Sequence, residues 1–498
     1  MSEKLNQLKE ILGEVSDISH AAAVLEWDQQ VNMPSEGGEA RGQQLATLGK
    51  IAHQKATTVE LGKLLADLKS EFTGADSDEA ALVRVASRDY DKATRVPSEF
   101  VAEWAIITTK AFEAWVEARR NSDFSIFRPH LEKIVELTQK YIQYFPPADH
   151  PYDVLLDDYE PGLKTAEVKE IFNNLRPKQV ELIKAIKSAK QVKADFLSKK
   201  YNEQKMWGFG KTIITQFGYD WNRGRQDKAA HPFQTTFSMN DTRITNRFEK
   251  DNPFSTLFSA MHEAGHAMYE QGNASAYERT PLMGGTSLAV HESQSRLWEN
   301  LVGRSLPFWE HFYPQLKKVF PAQLDGVSVK SFYKAINKVS PTLIRVNADE
   351  ATYNLHVMLR LELEIGMVEG KFAVKDLPEI WNEKMNDYLG VVPPNDAQGV
   401  LQDIHWSSGA LGYFSTYALG NLISAQLWEK INAEIPDLDE QICKGKFDAL
   451  LVWLREKIHV FGRKYDPQDL VQKATGSKID AAAYVRYLTK KYSEIYGL

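Results

Sequence analysis

The run His262-Glu263-Ala264-Gly265-His266 sets two imidazoles four positions apart with a carboxylate beside the first. On a helix that spacing places both rings on one face, where they can reach a single metal ion while Glu263 lies next to a water bound to it. The chemistry implied is hydrolysis. A zinc ion lowers the pKa of its water toward neutrality, Glu263 takes the proton as the water attacks a carbonyl, and the same carboxyl then protonates the leaving amine. Catalytic zinc needs a third protein ligand. The variant of the motif that uses a third histidine requires glycine at position 269 and histidine at position 272, and this chain has Tyr269 and Gly272. Glu292, within His291-Glu292-Ser293-Gln294, follows His266 by 26 residues and completes the set His262, His266 and Glu292. Its competing use is an ion pair with Arg296 one helical turn on. His291 suits a position behind a ligand or at the surface. The donor set takes one Zn2+ per chain, and Co2+ suits it as well.

Helical elements must position these groups. Asn252 is a good N-cap, Pro253 fits the first turn, Phe254, Leu257, Phe258 and Met261 recur at helical spacing, and Gly272 offers a left-handed stop. Leu288 to Val302 reads as a second helix with Glu292 on one face. Helical periodicity also runs through 3–15, 79–93, 98–121, 127–143, 166–189, 328–338, 341–369, 413–432 and 446–462. One strand signal competes: Thr235 to Thr245 alternates around Asn240-Asp241 as a hairpin just before the metal helix, where an edge strand would suit an extended peptide. Pro146 to Gly162 and Val391 to Gly399 read as polar, Pro-rich loops, and no repeat or linker breaks the chain. The expectation is a mainly α protein, a single catalytic unit over residues 1–498.

Composition narrows the setting. A net charge of −7 spread through mixed signs argues against nucleic acid as a partner, and 498 residues at 43% hydrophobic can bury a large core. Cys443 is alone, so the fold uses no internal disulfide and suits a reducing compartment. The first twenty residues form an amphipathic helix rather than a signal core, and no apolar run is long enough for a membrane span, so a cytoplasmic location is expected.

Further polar blocks flank the metal motif: His231-Pro232-Phe233 and Asp241-Thr242-Arg243-Ile244-Thr245 before it, Ile344-Arg345-Val346-Asn347-Ala348-Asp349 and Gly399-Val400-Leu401-Gln402-Asp403-Ile404-His405-Trp406 after it. With the two metal motifs they give, in order, HPF, DxRxT, HExxH, HES followed by Gln, IRxxAD and GxxQDxHW. The set resembles the carboxypeptidase Taq family of zinc metallocarboxypeptidases, and Trp27-Asp28, Met33-Pro34, His150-Pro151-Tyr152-Asp153 and Tyr159-Glu160-Pro161-Gly162 extend the resemblance over most of the chain. It implies removal of single residues from peptide C-termini with broad specificity and reluctance toward proline. It also implies a helical, clefted body like that of neurolysin and angiotensin-converting enzyme, with the N-terminal helices covering one side of the cleft, and a homodimer.

Within that frame His231, Tyr417 or Tyr413 would stabilise the tetrahedral oxyanion. A free C-terminal carboxylate calls for a planar guanidinium, for which Arg345 is the first choice, against a surface pair with Asp349, and Arg243 the second, against a hairpin pair with Asp241. Gln402, Asp403 and Asp349 suit supporting positions around ligands or base, while His405 and Trp406 contact substrate or pack in a wall. The alternatives are a helical oligopeptidase that cuts internally or releases dipeptides, and a noncatalytic scaffold stabilised by metal. Glu263 argues against the latter, because a structural site has no use for a general base.

Overall fold

The computed structural model describes residues 3–498. The fold is mainly helical with one three-stranded sheet, as periodicity predicts, and no described helix is long and apolar enough to cross a membrane. The chain forms two compact units, one from Met1–Thr94, Ala194–Ile336 and Leu427–Lys478 and the other from Arg95–Lys193, Asn337–Gln426 and Ile479–Leu498. Composition does not mark these boundaries because two of them, at Thr94 and Gln426, fall inside continuous helices.

In the first unit the N-terminal helix α1 (Glu3–Val31) and helix α2 (Asp78–Arg95) flank a third helix, Val59–Glu71. Leucines at helical spacing, Leu61, Leu64, Leu65 and Leu68, bury with Leu5 and Leu8 of α1, Leu82 of α2, and Tyr277 and Leu282 beyond the metal helix. Arg279 ties that loop to α1. Its backbone holds φ at 60°, a region costly for a non-glycine residue, and its guanidinium forks onto Asp17 at 2.9 and 2.5 Å.

The expected hairpin is present as β2 (Gln234–Ser238) and β3 (Asp241–Asn246), joined antiparallel with Thr235 opposite Arg243 and turning at Met239-Asn240. Sequence reading misses β1 (Gln226–Lys228), which pairs parallel to β3 and is too short to show alternation. The sheet order β1-β3-β2 leaves β2 at an edge.

The metal helix α3 spans Ser255–Gln271, and two of its predicted ends are corrected. Asn252 does not cap it through its side chain; its carbonyl accepts the Ser255 N–H in a preceding turn, and Phe254 takes the cap position. Gly272 is right-handed at φ −92°, not left-handed, and glycine is needed there because a Cβ would lie 2.6 Å from the His459 ring. Ser287 caps the next helix, α4 (Leu288–Arg296), by accepting the Val290 N–H at 3.1 Å. The predicted single helix to Val302 instead widens into a π-helical turn over Leu297–Val302.

In the second unit the predicted helix over 341–369 begins only at Tyr353 (α5, Tyr353–Glu369). Asp349 accounts for the shortfall: its carboxylate accepts the N–H groups of Ser340, Ala351 and Thr352, a local arrangement that competes with helix. Arg345 therefore sits on a single 3-10 turn, Arg345–Asn347, and the surface pair with Asp349 gives way to other partners. Helix α6 (Ser415–Glu434) follows closely the segment expected at 413–432. The Pro146 to Gly162 segment, expected as loop, contains a short helix, Tyr152–Tyr159.

Candidate metal centre

Helices α3 and α4 approach unusually closely. A Cβ on Gly265 would lie 2.6 Å from the Ser295 Cα and 2.8 Å from the Gln294 carbonyl oxygen, so the glycine inside the His-Glu-x-x-His motif is what lets the helix carrying Glu292 reach the two histidines. Donor atoms of His262, His266 and Glu292 lie within 4.8 Å of one another. The Glu292 Oε2 stands 3.5 Å from His262 Nε2 and 3.4 Å from His266 Nε2.

The far side of each ring is fixed. His262 Nδ1 donates to Glu299 Oε2 at 2.9 Å, which leaves the Nε2 lone pair facing inward. His266 Nδ1 lies 2.6 Å from His291 Nδ1, and His291 Nε2 bonds Glu270 Oε1 at 2.8 Å. With His291 neutral and donating to Glu270, its Nδ1 accepts from His266, and the His266 Nε2 is also presented as a lone pair. Both tautomers are thus the ones a metal ion requires, and the residues fit such an ion.

Glu292 combines the two roles weighed for it. Its Oε1 accepts from Arg296 Nε at 2.6 Å and its Oε2 faces the imidazoles. Arg296 also reaches Glu299 at 3.2 Å, and Arg304 reaches the other Glu299 oxygen at 3.3 Å. Burial opposes ionisation of Glu292 and Glu299, but Arg296 and the histidines hold both well below the usual carboxylate range. Glu263 has no such guanidinium. It is 7% exposed, and burial raises its carboxyl to about 7.

The sequence motifs do not include Glu299 and Glu270, although spacing carries a signal for both: Glu299 follows Glu292 by seven residues and Glu270 follows His266 by four, both same-face spacings. His291 takes the supporting position anticipated for it. Asp403 and Gln402 do not support these ligands. Asp403 bonds Arg345 at 2.8 Å and Arg360 at 2.7 Å, and Gln402 Oε1 accepts the Arg345 backbone N–H at 2.8 Å. Asp349 is occupied as the backbone cap described above.

This architecture has known counterparts. The chain matches the family described as Carboxypeptidase Taq (M32) metallopeptidase over residues 7–492. The protein belongs to that family. It is 36% identical to Carboxypeptidase 1 of Bacillus subtilis over 490 residues, covering 98% of each chain. It is 40% identical to Thermostable carboxypeptidase 1 of Pyrococcus furiosus, covering 99% of each. The crystal structure of the M32 carboxypeptidase from Deinococcus radiodurans superposes with a TM-score of 0.97 at 41% identity over 100% of both chains. As an M32 carboxypeptidase the protein is a metal-dependent peptide hydrolase, and His262, His266 and Glu292 are the candidate holders of the metal.

The remaining sequence candidates fall into separate settings. Arg243, in the first unit, gives Nε and Nη2 to the two Asp241 oxygens at 2.8 Å each and stacks on Trp27, 4.4 Å from the ring centre. His231 is exposed on the loop before β2, its carbonyl accepting from Thr245 Oγ1. In the second unit the M32 chain brings Arg345, Gln402, His405 and Tyr417 together. Arg345 is 5% exposed, donates from Nη1 to Tyr353 Oη at 2.8 Å, and lies 4.9 Å from the Tyr417 ring centre. The Tyr417 hydroxyl is 3.5 Å from His405 Nε2, and burial lowers the His405 pKa to about 4, keeping that ring neutral. Trp406 packs in the wall, as one of its two readings had it, donating from Nε1 to buried Glu364 at 2.7 Å.

Proposed function

We propose that the enzyme removes single residues from peptide C-termini using one Zn2+, held by His262, His266 and Glu292, with Glu263 as general base and then general acid. The observation that carries this reading is the pair of tautomers fixed by Glu299 and by His291-Glu270, which prepares both Nε2 atoms for a cation. A divalent ion bound there supplies Lewis-acid polarisation of the scissile carbonyl and of water. Glu263 takes the proton of the attacking water and returns it to the leaving amine; a buried carboxyl raised to about 7 suits both transfers.

The terminal carboxylate is assigned to Arg345 rather than Arg243. Asp403 and Tyr353 engage three of the five N–H donors of Arg345, leaving two for an anion, whereas Arg243 is closed by Asp241 and stacked on Trp27. Gln402 and Asp403 hold Arg345 in place, and His405 contacts substrate beside it. Tyr417, which burial keeps protonated well above pH 10, is a donor for the oxyanion, with His231 the other candidate. We propose further that residues 1–498 work as one catalytic unit, in the cytoplasm, and as a homodimer.

The test is digestion of an N-blocked peptide as free acid and as C-terminal amide, with and without chelator. Single-residue losses from the acid alone, stopped by chelator and restored by zinc or cobalt, are expected. Glu263→Gln should abolish them with metal still bound, and Arg345→Ala should erase the preference for the acid over the amide. Internal cuts or dipeptide release from wild type would replace the reading with an oligopeptidase, and full activity of Glu263→Gln would refute the mechanism.

A further inference from the structure

The first unit contains a cavity of about 500 Å³ between α1, α2 and the far end of the metal helix, a volume within the about 300–1,000 Å³ typical of ligand pockets. Leu12, Val15, Leu61, Ala86 and Met283 make its wall mostly apolar. Two further wall residues connect it to the catalytic elements. Glu270 is the carboxylate that holds His291 and, through it, His266. Thr236 belongs to the edge strand β2.

The strand pairing shows what that edge offers. Thr242 and Ile244 of β3 donate their N–H groups toward the β1 side, to Arg223 and Arg225, while the Thr245 N–H is given to Phe233 on the β2 side. In an antiparallel pair the alternation then turns the backbone groups of Arg243 and Thr235 toward each other and those of Gln234 and Thr236 away from β3. The main chain of Thr236 is thus directed away from β3, on the side of the cavity that α1 also lines, and offers an extended peptide in the cavity a strand to pair with.

We propose that this cavity is a substrate subsite that takes an apolar side chain on the acyl side of the scissile bond. The inference rests on the carboxypeptidase reading and adds to it where, and for what chemistry, selection of the upstream sequence occurs. Charge settles which side of the bond is meant. The titratable wall residues are His20, Asp89, Tyr90 and Glu270, with no lysine or arginine; Asp89 is paired with Arg463 and Glu270 with His291, so the wall itself offers no cation to a terminal carboxylate. Distance indicates the position. Glu270 lies one helical turn, about 6 Å, beyond His266, and an extended peptide advances about 3.4 Å per residue. The side chain taken up is that of the second or third residue counted back from the scissile bond.

The experiment uses wild-type protein and two cavity-filling variants, Ser16→Phe and Ala93→Phe, at half-buried wall positions. N-blocked tetrapeptides with a fixed C-terminal residue carry Ala, Phe or Asp at the second or third upstream position; a blocked dipeptide is too short to reach. Wild type should prefer Phe over Ala by roughly tenfold in kcat/KM, the scale of burying one such side chain, and should discriminate against Asp. Both variants should lose that preference while cleaving the blocked dipeptide as wild type does. In parallel, a peptide carrying a benzophenone side chain at the same positions is photolysed with chelated wild-type protein, and adducts should map to Met283, Leu12 or Tyr90. Wild-type cleavage indifferent to the upstream residue, preference retained in the filled variants, or adducts confined to other segments would each overturn the subsite. Absence of any single-residue release from wild type would instead overturn the carboxypeptidase reading, and adducts at Met283 or Leu12 in that case would still report a peptide side chain in the cavity.

Discussion

Glu299→Gln isolates what a residue outside the ligand set contributes to the metal. The substitution keeps the shape of the side chain and an oxygen able to accept the His262 Nδ1–H, now 2.9 Å from a carboxylate, but removes the charge that makes this bond a strong one. Hydrogen bonds to charged groups contribute about 1.5–3 kcal/mol and neutral ones about 1 kcal/mol. The difference, about 0.5–2 kcal/mol, appears in metal binding because His262 is a better donor when its far nitrogen gives to an anion. It corresponds to roughly a 2- to 30-fold loss of affinity, overlapping the about 10- to 100-fold range for partners of ligating histidines. Competition for zinc against a chelator of known affinity measures it directly. Because Glu263 is untouched, kcat at saturating zinc should stay within a few-fold of wild type. Zinc affinity unchanged within twofold would refute the link from Glu299 to His262. Activity abolished at saturating zinc would show that Glu299 acts on the reaction itself. Alanine is the wrong probe here, since it would also remove the oxygens to which Arg296 and Arg304 donate, and truncating one side of a buried pair costs about 3–5 kcal/mol by itself.

Gly265→Ala should weaken zinc binding and lower stability by about 1–3 kcal/mol or more, because the new methyl meets the Ser295 Cα and the Gln294 carbonyl, backbone atoms that cannot rotate away; chemical denaturation and zinc titration check this, and wild-type values in both would refute the close-approach argument. Glu364 gives a pH signature in the second unit: burial raises it to about 7 although Tyr152, Gly412 and Trp406 all donate to it. A raised carboxyl pKa means the folded state holds the proton more tightly, so its stabilisation is complete below the unfolded value near 4.5 and is lost as pH rises to about 7. Wild type should therefore lose on the order of 3 kcal/mol relative to Glu364→Gln between pH 4.5 and 7.5, and parallel stability curves for the two proteins would refute that assignment.

The two candidate histidine ligands are legible in the sequence because a regular helix fixes their spacing, and the apolar positions of α3 establish that helix independently. Arg345 is less so. Apolar periodicity runs unbroken through 341–369, and only the competition of the Asp349 carboxylate for backbone N–H groups ends the helix and puts Arg345 on a 3-10 turn. Gly272 has the right residue type for a reason unrelated to the one spacing suggests: the crowding is by His459, a residue far along the chain. Glu299 is hidden for another reason. Its same-face spacing from Glu292 is visible, but that spacing describes a regular helix, and the chain around it is a π-helical turn whose wider winding sequence periodicity does not report. Partnership between Glu299 and His262 depends on α3 and α4 meeting at Gly265, a tertiary fact.

The charges around the centre explain why these supporting residues belong with the ligands. Four carboxylates, Glu263, Glu270, Glu292 and Glu299, share the neighbourhood with two guanidiniums, those of Arg296 and Arg304, and with three imidazoles, taken in the neutral form that metal binding needs. Fully ionised, that group is short of positive charge by the amount a divalent cation carries. The arginines pair with Glu292 and Glu299, the proposed ligand and the carboxylate that holds His262. Glu270 is given to His291. Glu263 receives no guanidinium, and its carboxyl is the one that burial raises to about 7. The arginines and His262 therefore keep Glu292 and Glu299 ionised, while burial pushes up Glu263, the proposed base.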